Sequence, residues 1–121
     1  MILVDTSIWI DHLRSGDKRL GELLDAAAVL VHPFVIGEIA LVQLGQRNIV
    51  LQALAALPMA TSATDAEVMG FIDHHVLFGR GIGYVDAHLL AATRLTPDAT
   101  LWTNDRRLRK LAGDLGLDGA C

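Results

Sequence analysis

Ile2-Leu3-Val4-Asp5-Thr6-Ser7-Ile8-Trp9-Ile10 is the stretch that decides the fold. Its three leading apolar residues suit a short buried strand. Asp5, Thr6 and Ser7 end that run, and each can cap a helix beginning near Ile8. A strand that passes directly into a helix opens an α/β unit, and the chain then repeats the alternation. The first helix should stop near Gly16. A second fits Asp17 to Ala27, with Leu20, Leu23, Leu24 and Ala27 on one stripe. Val29-Leu30-Val31 reads as a strand, and Pro33 suits the first turn of a helix running to about Gly45.

Further along, a helix over Ile49 to Leu57 is ended by Pro58. Thr64 and Glu67 have the spacing of a capping box that opens a helix to about Phe78. A turn from Gly79 to Gly83 separates it from a helix over roughly Tyr84 to Leu95. Thr100-Leu101-Trp102 reads as a strand, Asn104 or Asp105 as the cap of a last helix reaching Leu115, and Leu117 to Cys121 as a short edge strand. The pattern predicts one α/β domain over residues 1–121, with a mainly parallel central sheet and helices on both faces.

Composition narrows the functional classes. Hydrophobic residues make up 52% of the 121 and charged residues 20%, too apolar for a disordered chain. The longest stretch without a charged side chain, Asn48 to Thr64, is interrupted by Gln52, Pro58, Thr61 and Ser62, a poor membrane span. The acid at position 5 breaks any signal-peptide pattern, which points to the cytoplasm. A lone cysteine, Cys121, excludes an internal disulfide and a cysteine-based zinc site. The net charge of −4 argues against nucleic-acid binding over the whole surface, but leaves room for a local basic patch or a metal-neutralised acidic site.

Four carboxylates stand out: Asp5, Glu38, Asp86 and Asp105. Asp5 and Asp105 follow strands, where a helix N-cap is the plain explanation. Asp86 lies in a first helical turn, where a carboxylate suits the macrodipole. Glu38 is embedded in Phe34-Val35-Ile36-Gly37-Glu38-Ile39-Ala40-Leu41-Val42 with no cation nearby. If buried, it requires a cation or a raised pKa. In an open α/β sheet ligands bind outside the carboxyl ends of the strands, which gives these acids a place to meet. Should they converge, oxygen-only ligation suits Mg²⁺ or Mn²⁺.

The segments Val4-Asp5-Thr6-Ser7-Ile8-Trp9-Ile10, Gly37-Glu38, Gly81-Ile82-Gly83-Tyr84-Val85-Asp86-Ala87-His88-Leu89-Leu90-Ala91 and Leu101-Trp102-Thr103-Asn104-Asp105-Arg106-Arg107-Leu108 together resemble the PIN-domain family, specifically its VapC-type toxins. The resemblance implies a three-layer α/β/α fold and a Mg²⁺- or Mn²⁺-dependent endoribonuclease. It implies an acidic triad of Asp5, Glu38 and Asp86, with Asp105 as a fourth acid and Thr6 and Thr103 supporting them. It also implies a homodimer, a VapB-type antitoxin as inhibitor, and an RNA substrate such as tRNA. The basic cluster Arg106, Arg107, Arg109 and Lys110 reads either as a solvated helix face or as a phosphate contact. His12, His32, His74, His75 and His88 form no metal-ligand spacing and read as surface or satisfied structural histidines.

Two other readings share part of the pattern. A non-catalytic PIN-like module would hold RNA or protein without cutting. A phosphotransfer receiver would need a middle-strand Asp and a supporting Lys, whereas Lys occurs only at Lys18 and Lys110. Val35, Ile39, Val42, Leu51 and Leu54 are the expected dimer face. Trp9 and Leu13 are expected to receive an apolar inhibitor segment, unless Trp9 is core.

Overall fold

The computed structural model describes residues 1–119. Three strands, β1 (Ile2–Val4), β2 (Val29–Leu30) and β3 (Thr100–Trp102), form a parallel sheet in the order β2-β1-β3. Seven helices complete the described residues: α1 (Thr6–Ser15), α2 (Lys18–Asp25), α3 (Pro33–Ala40), α4 (Arg47–Ala55), α5 (Asp65–His75), α6 (Tyr84–Leu95) and α7 (Arg106–Asp114). The fold is α/β, as the alternation of strand and helix predicts. Leu3, Val4, Leu30, Val31 and Leu101 from the strands pack with Ile8, Trp9, Leu20, Ile39, Leu89, Leu90 and Leu108 from the helices in one buried cluster. None of the helices is long and apolar enough to cross a membrane.

The parallel register of β1 on β3 positions two strand ends together. Val4 pairs with Trp102, and the Asp5 amide donates to the Trp102 carbonyl at 3.0 Å. The residues leaving the two strands, Asp5 and Thr103, therefore emerge side by side at the carboxyl edge of the sheet. Because β1 has one neighbour that follows it directly and another from much later in the chain, this edge is a topological switch point.

Several boundaries differ from expectation, each for a local reason. Helix α3 stops at Ala40 rather than Gly45. The Arg47 guanidinium donates twice to the Ala40 carbonyl, at 3.0 and 2.9 Å, while Leu41 and Val42 bond back to Glu38 and Ile39. Those bonds satisfy carbonyls that a continuing helix would have used. Helix α5 stops at His75 rather than Phe78. Val76 adopts a left-handed conformation, φ 52°, which turns Leu77 into the core and returns its amide to Ile72. The capping box at its start is fully formed: Thr64 Oγ1 accepts from the Glu67 amide and Glu67 accepts from the Thr64 amide.

Strand β2 is a residue shorter than expected, because Val31 leaves β1 and bridges to Met59 instead. The expected edge strand from Leu117 reduces to one parallel bridge between Leu101 and Asp118 among the described residues; Ala120 and Cys121 lie outside them. The expected dimer face also needs correction. Val35, Ile39 and Leu54 belong to the core, as does Trp9.

Candidate active site

Asp5 is the best-anchored acid. One carboxylate oxygen accepts from the Thr6 amide at 2.7 Å and the other from the Thr103 hydroxyl at 2.7 Å. The side chain is buried, so both bonds form away from bulk water, where they hold the carboxylate in one orientation. Thr103 is fixed in turn, since its hydroxyl oxygen also accepts from the Asp105 amide at 3.0 Å. Asp105 caps α7 through the Leu108 amide at 2.9 Å. The plain N-cap reading of Asp5 and Asp105 is therefore correct, and it is compatible with a second role, because a carboxylate has about four acceptor positions.

Glu38 is exposed despite its apolar sequence neighbours, so the compensation that burial would demand does not arise. Helix α3 buries Val35 and Ile39 and turns Glu38 outward. Its partner is the Thr6 hydroxyl, which donates to Glu38 Oε1 at 2.5 Å across the packed pair α1 and α3. Thr6 thus links the acid after β1 to the acid on α3.

Asp86 is half-buried in the first turn of α6, where one oxygen accepts from the Gly83 amide at 3.0 Å. Its carboxyl pKa is raised. Burial is the main cause, partly offset by the Gly83 amide, and the negative charges of Asp5, Asp105 and Glu38 all push the same way. Three acids from three other parts of the chain thus act electrostatically on the fourth. Among the described residues none of the four acids forms an ion pair with Lys or Arg. Nor does any group of three His, Cys, Asp or Glu side chains close to the geometry of a finished metal site.

The basic residues divide into distinct settings. Lys110 pairs with Asp114 at 3.7 Å, and Arg80 with the same carboxylate at 3.6 Å. The Arg107 side chain instead lies over Gly81, so closely that a Cβ there would clash with it, and Gly81 also takes φ 79°. Glycine at this position lets the loop before Asp86 carry an arginine against its backbone. Arg106 and Arg109 are exposed on α7.

The histidine expectation holds only in part. His12 Nδ1 accepts from the Asp17 amide, and His32 caps α3 by accepting from the Phe34 amide. His32 Nε2 and His88 Nδ1, however, are buried without a hydrogen-bond partner among the described residues. Burial, and then the neighbouring His88, lowers the His32 pKa from 6.5 to about 4. His88 Nε2 lies 3.0 Å from Asp65, which also accepts from the Tyr84 hydroxyl at 2.7 Å. The sequence places Asp65 only at a helix start. Nothing local indicates that α5 and α6 bring it to His88, although the nearness of Tyr84 to Asp86 is visible.

A sequence profile of the PIN domain matches residues 2–114. The chain belongs to the PIN-domain family, in its VapC-type branch. It is similar to Ribonuclease VapC32 of Mycobacterium tuberculosis, in strains CDC 1551 / Oshkosh and ATCC 25618 / H37Rv alike. The identity is 46% over 117 residues, covering 97% of this chain and 94% of the relative.

Proposed function

We propose that this chain is a VapC-type ribonuclease toxin, an endoribonuclease that uses Mg²⁺ or Mn²⁺ at Asp5, Glu38, Asp86 and Asp105. The observation that carries the reading is the electrostatic one: Asp5, Asp105 and Glu38 all bear on Asp86, and among the described residues no Lys or Arg forms an ion pair with any of the four. The donor set fits such an ion, since the four carboxylates offer oxygen only. When bound, the cation would act as a Lewis acid on the phosphodiester and its attacking water.

The chain's own residues do the positioning. Thr103 and the Thr6 amide fix the Asp5 carboxylate, the Thr6 hydroxyl orients Glu38, and the Gly83 amide holds one oxygen of Asp86. Such outer partners orient ligands for an ion. Arg106, Arg107 and Arg109, exposed on α7, would supply contacts to RNA phosphates, with Lys110 contributing where its pairing with Asp114 allows. The substrate is RNA, with a structured RNA such as tRNA as the first to test.

A VapB-type antitoxin is the expected inhibitor. A homodimer is supported by apolar side chains on the surface: Leu41 is 89% exposed and Ile49 64%. Light scattering at micromolar concentration should give twice the monomer mass.

The test is cleavage of RNA with Mg²⁺ or Mn²⁺, its loss on adding EDTA, and its loss in Asp5→Asn with RNA binding retained. Binding without cleavage under either metal would favour the non-catalytic module instead.

A further inference from the structure

We propose that Phe34 and Tyr84 form a nucleobase-stacking platform at the rim of the acidic site, seating an unpaired base of the RNA next to the phosphate that is cut. The platform presupposes the ribonuclease reading and adds a subsite to it. Both side chains are large aromatics left in solvent, Phe34 at 39% and Tyr84 at 45% exposure. Each rests on the same buried ring: Phe34 and Tyr84 both lie 4.7 Å from the His88 centroid, tilted and edge-on respectively. Phe34 also contacts His32 at 5.1 Å, and the Tyr84 hydroxyl is tied to Asp65. The two rings are thus held in place before anything binds, so little side-chain freedom is lost on stacking.

Their position identifies the occupant. Phe34 stands four residues before Glu38 on α3, and so on the same helical face one turn away. Tyr84 opens α6, two residues before Asp86. An aromatic ring one helical turn from Glu38, with a second in the same first turn of α6 as Asp86 though on another side of that helix, suits a nucleotide, whose base and phosphate need a π-face and a charged site together. Aromatic stacking is how single-stranded RNA is held without reading its sequence. Leu41 and Ile49 are exposed too but offer no π-face, and Phe78, 64% exposed, stands outside the helices that carry Glu38 and Asp86.

The probe is a single-stranded RNA of about eight nucleotides carrying 2-aminopurine beside the cleavable linkage. In an Asp5→Asn background with Mg²⁺, binding should quench the fluorophore by stacking. Phe34→Leu and Tyr84→Leu should each weaken binding about tenfold and abolish the quench. Tyr84→Phe, which keeps the ring, and Phe34→Tyr should retain both. In the active background the Leu variants should raise KM with little change in kcat.

Unquenched binding by the parent protein, or Leu variants with unaltered KM, would overturn the platform while leaving the ribonuclease intact. A halved mass for the Leu variants in light scattering would also overturn it, by showing the patch to be a subunit contact. Absence of cleavage by the wild type with either metal would instead strike the ribonuclease reading itself.

Discussion

The Thr103 hydroxyl donates to one oxygen of Asp5 at 2.7 Å, although the two residues are 98 positions apart. The bond is possible because β1 and β3 run parallel and in register, so that the residues following them face each other. The same hydroxyl oxygen accepts from the Asp105 amide, so one threonine ties two of the acids together.

Thr103→Val keeps the shape and removes both bonds. A buried carboxylate oxygen then loses its donor, at a cost of about 1–3 kcal/mol in unfolding free energy. Cleavage should fall by roughly 10–100-fold, the usual effect of losing a ligand's supporting partner. Thr103→Ser should restore most of both. Denaturant titration and cleavage rates check this, and an unchanged rate for Thr103→Val would remove the threonine from the site.

Asp86→Asn should abolish cleavage yet stabilise the metal-free protein. Asn can still accept from the Gly83 amide, while the repulsion from Asp5, Asp105 and Glu38 is gone. The sign follows from linkage: a carboxyl whose folded pKa is raised binds its proton more tightly when folded. Its charge therefore costs stability once pH rises above the folded value, and costs nothing below the unfolded one. Melting temperature in EDTA should be higher for the variant than for wild type at neutral pH. Added Mg²⁺ should raise the wild-type value and move the variant less.

His32 should make the protein acid-sensitive. Its folded pKa is lowered from 6.5 to about 4, so the unfolded chain takes up the proton first as pH falls. Its contribution to stability is complete above about pH 6.5 and is lost on the way down to about 4, on the order of 3 kcal/mol in all. His32→Asn can still cap α3 and does not titrate. The difference in stability between wild type and His32→Asn should therefore shrink across that window. A constant difference from pH 7 to pH 4 would show that His32 does not titrate as its burial requires.

Arg106 and Arg107 should contribute to RNA affinity through charge. Replacing either with Ala should weaken binding similarly for RNAs of different sequence and flatten the plot of log affinity against log salt by about 0.7 per lost phosphate contact. Binding isotherms at several salt concentrations measure the slope. Equal slopes for wild type and the double variant would return these arginines to a solvated helix face.

Local order was written plainly in the sequence. The run Ile2-Leu3-Val4, the Thr64–Glu67 box, Pro33 at the start of α3 and the helix over Tyr84–Leu95 all appear where their side chains require, because strand runs and caps depend on near neighbours. The same is true of which acids stand at strand and helix ends. What tertiary structure alone decided is which side chains meet. Only the packing of α1 on α3 turns Glu38 out of the core towards Thr6, and only the register of β1 on β3 delivers Thr103 to Asp5. Arg47 ends α3 by reaching back to Ala40, and Asp65 comes to lie against His88 and Tyr84 through the packing of α5 on α6. Apart from the Arg47–Ala40 contact, these join residues far apart in the chain, and their geometry is set by how the sheet pairs and how helices seat on it. No periodicity within a single segment encodes that.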